Sequence, residues 1–75
     1  MTDEPGGDTD RALEVALRRA NEIFTNEDRR VERRPGYDPE ATTAAAVELA
    51  GAVHALDALI RAGRRMPQRW SDAAR

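Results

Sequence analysis

Apolar residues recur at steps of three and four over two stretches of this 75-residue chain, with polar residues filling the gaps. In the first stretch Leu13, Ala16, Leu17, Ala20, Ile23 and Phe24 fall on one stripe of a helix. Arg11, Glu14, Arg18, Arg19 and Glu22 take the other side, and Glu14 precedes Arg18 by four residues, the order that supports a helix. In the second stretch the stripe is Ala45, Leu49, Ala52, Val53, Leu56, Leu59 and Ile60. Asp38-Pro39 opens it: aspartate accepts a hydrogen bond from the free amides of a helix start, and proline at the first helical position has no amide to leave unpaired. Gly63 follows the last apolar residue and can take the left-handed conformation that closes a helix, and Pro67 cannot extend it.

The pattern predicts a helix over about residues 10–33, a turn over 34–38 and a second helix over about 39–62. Asp8, Thr9 or Asp10 is expected to cap the first helix. Residues 25–34 hold one apolar residue, Val31, which keeps the seam of Leu17, Ala20 and Phe24. Two readings compete there. One is a single long helix with a frayed or bent last third. The other is a new helical turn capped at Thr25 or Asn26, because Thr25 with Asp28 three later resembles a capping box. The single helix is favoured. Arg34-Pro35-Gly36-Tyr37 reads as a type II turn, short enough to make the helices antiparallel neighbours. Residues 1–8, rich in acids and containing Pro5, Gly6 and Gly7, read as a disordered acidic tail, and 71–75 as a second disordered tail. Residues 9–70 form the one domain. Met66 and Trp70 are expected to fold back onto the open end near Leu13, Leu17 and Ile60.

The fold class is therefore all-α: an antiparallel two-helix hairpin with its C-terminal tail packing back. A second face of the 39–62 helix extends this picture. Ala44, Val47, Ala50, Gly51 and Ala58 make it apolar on another side, and a helix apolar on more than one side is usually buried on more than one side. A hairpin covers only one. The expectation is a homodimer forming a four-helix bundle, with Ala44, Val47, Ala50, Gly51, His54 and Ala58 at the interface, or contact with another helical protein. Size points the same way. A chain this short buries only about 60% of its unfolded surface, and small domains add a disulfide, a metal or a partner. Cysteine is absent, which excludes disulfides and thiol chemistry, and one histidine supplies no metal cluster.

The net charge is −2, from 12 basic residues (all arginine) and 14 acidic ones, which argues against bulk nucleic-acid binding. The alanine and arginine bias suggests GC-rich, actinobacterial coding. Met1-Thr2-Asp3-Glu4-Pro5 is the opposite of a secretory signal. No stretch approaches the roughly 20 apolar residues of a membrane span. A soluble cytoplasmic protein without a membrane partner is expected.

Candidate chemistry is sparse. His54, with Asp57 three residues later, reads as a helix-face histidine rather than a ligand or proton carrier. Glu22, Glu27, Asp28 and Glu32 read as solvated charge, because Arg29, Arg30 and Arg33 neutralise the region. The arginines Arg29, Arg30, Arg33, Arg34, Arg64, Arg65 and Arg69 are candidate phosphate contacts, since guanidinium forks match phosphate oxygens. In a hairpin they split into two groups about 36 Å apart. The acidic N-terminal tail is expected to mask the group at the open end. Phosphate loops, nucleophile elbows and zinc spacings are missing from the sequence. No catalytic residue, metal or cofactor is expected. The predicted function is a non-enzymatic helical protein–protein interaction module, a small regulator or adaptor. The alternative is a nucleic-acid-binding protein that uses the arginine pairs.

The segment Leu56-Asp57-Ala58-Leu59-Ile60-Arg61-Ala62-Gly63-Arg64-Arg65-Met66-Pro67-Gln68-Arg69-Trp70 resembles the tail of short helical proteins common in actinobacteria and their phages. Those end a helix with leucines, then a glycine, then a proline with a tryptophan three residues later. The resemblance covers about a fifth of the chain and implies an architecture in which the tryptophan tucks under the helix end. It attaches no activity.

Overall fold

The computed structural model describes residues 7–73 and contains three helices among them: α1 (Gly7–Val31), α2 (Pro39–Arg61) and α3 (Gln68–Ala73). α1 and α2 pack together as an antiparallel hairpin, and the molecule is a rod of 45 × 25 × 23 Å. The first helix is one continuous element through Asn26. It begins at Gly7, earlier than the expected start near Asp10, so Asp8, Thr9 and Asp10 sit inside its first turn rather than ahead of it. Residues 71–73, expected as tail, belong to α3. The remaining tail residues, 1–6 and 74–75, lie outside the described residues.

Local chemistry sets each boundary. Asp8 and Asp10 lie in the first turn of α1 and Arg29 and Arg30 in its last, which suits the helix dipole at both ends. Asp38 caps α2 from an extended backbone, its Oδ1 accepting from the Glu40 amide at 3.0 Å, with Pro39 as the first helical residue. Both long helices close with the same pair of bonds. Arg34 N–H donates to the Arg29 carbonyl and Arg33 N–H to that of Arg30; Arg64 N–H donates to Leu59 and Gly63 N–H to Ile60. Gly63 takes the required left-handed conformation (φ 88°) without hindrance. In α1 the same position is Arg33 (φ 56°), where a side chain is disfavoured. Gly36 (φ 93°) completes the Pro35-Gly36 turn as expected.

The core is thin. Its buried apolar residues on the two long helices are Leu13, Ala16, Ala45, Ala52 and Leu56. Ala20, Ile23, Leu49, Leu59 and Ile60 are half-buried. Several members of the expected stripes stay outside: Leu17 is 42% exposed, Val53 51% and Phe24 67%. Two polar side chains are buried instead, one at each end of the rod. At the loop end the Asn26 carboxamide nitrogen donates to the Asp38 carbonyl (2.6 Å) and the Thr42 hydroxyl (2.7 Å), and its oxygen accepts from the Asp38 amide (3.0 Å). At the open end the Thr9 hydroxyl donates to the Arg65 carbonyl (2.6 Å). One turn of tail then brings the Gln68 amide to the Asp10 carboxylate at 2.6 Å, so α1 caps α3 from outside. Pro67 is buried beneath this tie, while Trp70 keeps 40% of its surface exposed.

α2 also departs from one expectation. By length and composition it is apolar enough to cross a membrane. Its mid-helix Glu48 opposes that use: a charge at the centre of a span costs about 2.5–3.5 kcal/mol, comparable to the total from six large aliphatics at about 0.3–0.6 each.

Two outcomes follow for folding. Asn26→Ala removes three part-buried hydrogen bonds and is expected to lower unfolding free energy by about 2 kcal/mol in urea titration. Arg33→Gly removes the left-handed strain, offset partly by the freer unfolded chain, and is expected to raise it by about 0.5 kcal/mol.

Candidate interaction surface

The hairpin has two flanks of different character. On one, Arg19 of α1 reaches across the seam to Glu48 of α2, with Nε 2.5 Å from Oε2. That Nε is buried, and the pair is an ionic contact without hydrogen-bond alignment. The same guanidinium donates to Glu22 at 2.8 and 3.0 Å. The Glu22 hydrogen bond is the main reason its pKa rises above the ordinary arginine range, against some desolvation, with the charges of Glu22 and Glu48 adding. Beside the bridge an open groove of about 510 Å³ runs between the helices, with Ala12, Val15, Ala52, Ala55 and Leu59 in its lining and Asp8, Arg11 and Glu48 among its polar members. Arg30 is also raised, chiefly by its bond to Glu27 at 2.7 Å. A raised arginine pKa contributes stability below its ordinary titration and loses it only as pH climbs past that range, so neither group is a switch near neutrality.

On the opposite flank no ion pair crosses the seam among the described residues. Leu17, Phe24 and Val31 stand seven apart on α1 and are exposed, and α2 adds the exposed Val53.

The six interface residues expected on α2 are all exposed in the single chain: Ala44, Val47, Ala50, Gly51, His54 and Ala58. Val47 is 68% exposed. Space around Gly51 is open, since a Cβ there meets nothing within 4 Å. His54 has no polar partner among the described residues, and Asp57 pairs with Arg61 at 3.6 Å rather than with the histidine. The same face merges with the groove through Ala55, one helical turn from both Gly51 and Leu59.

The seven candidate arginines do not form one surface. Arg29, Arg30, Arg33 and Arg34 sit at the loop end and Arg64, Arg65 and Arg69 at the open end of the 45 Å rod. Arg30 pairs with Glu27, Arg34 with Glu32 at 2.6 Å, and Arg64 with Asp8 at 3.8 Å. Arg29 lies along the loop, its Cδ, Nε and Cζ each 3.8 Å from where a Cβ on Gly36 would stand. The acids Glu22, Glu27 and Glu32 are thus each committed to an arginine, and no cluster able to hold a metal ion occurs among the described residues.

Sequence reasoning missed Asn26 and Thr9 as structural ties. Asn26 had a signal: it continues the steps of three that link Ala20 and Ile23, so a polar residue stands on the buried stripe. Thr9 had none, because its partner is a tail carbonyl 56 residues away.

No protein-family model, curated protein or solved structure matches this chain. Labelled duplex DNA or RNA is expected to show no electrophoretic shift with the purified protein at low salt. A complex that weakens steeply as salt rises would restore the arginine reading.

Proposed function

We propose that this chain is a non-enzymatic helical interaction module, a small regulator or adaptor that works through helix-to-helix contact and self-associates as a four-helix dimer. One observation supports this reading above the others. α2 runs 23 residues, yet buries only Ala45, Ala52 and Leu56 against the rest of the chain. Its remaining surface is dominated by alanine, valine and glycine, small residues that let a second backbone approach closely. Contiguous exposed apolar surface marks contact sites. The groove is open and lined mainly by aliphatic residues, with Asp8, Arg11 and Glu48 as its charged members. The C-terminal likeness to short actinobacterial and phage proteins is compatible with such a role, and a cytoplasmic setting is part of the proposal.

Sedimentation equilibrium at micromolar concentration tests it. The expected mass is twice the 8.3 kDa of the chain. A compact, folded species at 8.3 kDa across the accessible concentration range would refute self-association.

A further inference from the structure

We infer that residues 64–73 form a C-terminal strap that opens and closes on the hairpin as a separate unit, with Gly63 as its hinge and the first turn of α1 as its catch. Self-association is not required for it.

α3 does not hold itself together. It is six residues long, and none of its residues is buried. An isolated helix shorter than about 12–15 residues is marginal in water, so α3 depends on the hairpin holding its start. Three consecutive residues of α1 do the holding. The Thr9 hydroxyl donates to the Arg65 carbonyl, and the Asp10 carboxylate accepts from the Gln68 amide, each at 2.6 Å. Asp8 faces Arg64 at 3.8 Å, an exposed pair that adds little. Between the two short bonds Pro67 is seated out of solvent, with less than 2% of its surface exposed. Its carbonyl accepts from the Trp70 and Ser71 amides at 3.0 and 3.1 Å, which starts the helix. Seating of Pro67, capping by Asp10 and the first turn of α3 are thus one event, and a strap released at residues 65–68 loses all three together.

The hairpin does not need the strap in return. α2 closes before the strap begins, through the bonds from Gly63 N–H to the Ile60 carbonyl and from Arg64 N–H to that of Leu59. Gly63 takes a left-handed conformation with nothing within 4 Å of where its Cβ would stand, so no neighbour pins the chain at the junction. The buried apolar residues between α1 and α2, the Arg19–Glu48 bridge and the Asn26 tie include no strap residue. Opening therefore gives up two hydrogen bonds and the burial of Pro67 while the pairing of the long helices stays. Segments with so few buried contacts open at the low end of a protein's range of local stabilities. Opening also takes the Arg65 acceptor from Thr9 and the Arg64 partner from Asp8, which lines the groove, so the strap is coupled to the groove's rim.

Trp70 is the chain's one tryptophan, lies in α3 and is 40% exposed with the strap closed, so its fluorescence reads the strap. Far-UV circular dichroism reads mainly the 25 residues of α1 and the 23 of α2. Urea titration of wild type, Asp10→Ala and Asp10→Asn compares the two signals. In the wild type the red shift of Trp70 emission is expected at a lower urea midpoint than the loss of helix signal. Asp10→Ala removes the catch and is expected to show the emission of the unfolded chain already without urea, with the helix signal of α1 and α2 kept. Asp10→Asn keeps an oxygen acceptor and is expected to hold its emission closer to that of the wild type. Coincident midpoints in the wild type overturn the separate unit, and so does loss of the helix signal in Asp10→Ala. Trp70 emission that Asp10→Ala leaves unchanged overturns the catch.

Discussion

Very little apolar volume lies between the two long helices, and the rest of the molecule follows from that constraint. Three alanines and two leucines make up the buried core between them. Apolar burial contributes about 25 cal/mol per Å², so an alanine methyl adds little while allowing the helix axes to come close. Such a core does not by itself select one register. The buried polar ties do. Asn26 engages both backbone groups of Asp38 and the hydroxyl of Thr42, and a shift of one residue would leave its carboxamide buried without partners. Thr9 and Asp10 perform the same service at the other end by holding the tail.

Close approach also explains why so much remains outside. α1 carries a wide stripe of large side chains, and the alanines of α2 do not reach over its edge. Leu17 and Phe24 are therefore exposed on one flank. On the other flank Arg19 and Glu48 bridge the gap with charge, above a shallow aliphatic groove. The asymmetry gives the hairpin a side bridged by charge, a side where Leu17 and Phe24 stand exposed, and an outward face of small residues. Two long helices with flanks of different character are what the proposed helix-to-helix role draws on.

Much of this fold was legible in the sequence because periodicity and capping are local. Asp38-Pro39, the Pro35-Gly36 turn and Gly63 each act within a few residues, and each is found doing so. What was not legible depends on distant partners. The hydrogen bond from the Gln68 amide to Asp10, 58 residues away, ties the start of α3 to α1, and nothing in the local pattern announces it. The closing position of α1 was hidden for another reason. Arg33 occupies a left-handed conformation that sequence rules reserve for glycine, so the helix end looked frayed when it is sharply formed. The fate of Leu17 and Phe24 was misread because helical spacing places residues on a stripe without saying how wide a stripe the partner helix can cover. The candidate surface on α2 was readable as composition; whether it is covered depends on a second molecule.

The central claim is that the hairpin's own core is insufficient and that association completes it. Thermal unfolding followed by circular dichroism over a hundredfold range of protein concentration tests this most directly. If folding and association are linked, the melting temperature must rise with concentration by mass action. A cooperative transition whose midpoint stays fixed over that whole range would contradict the account.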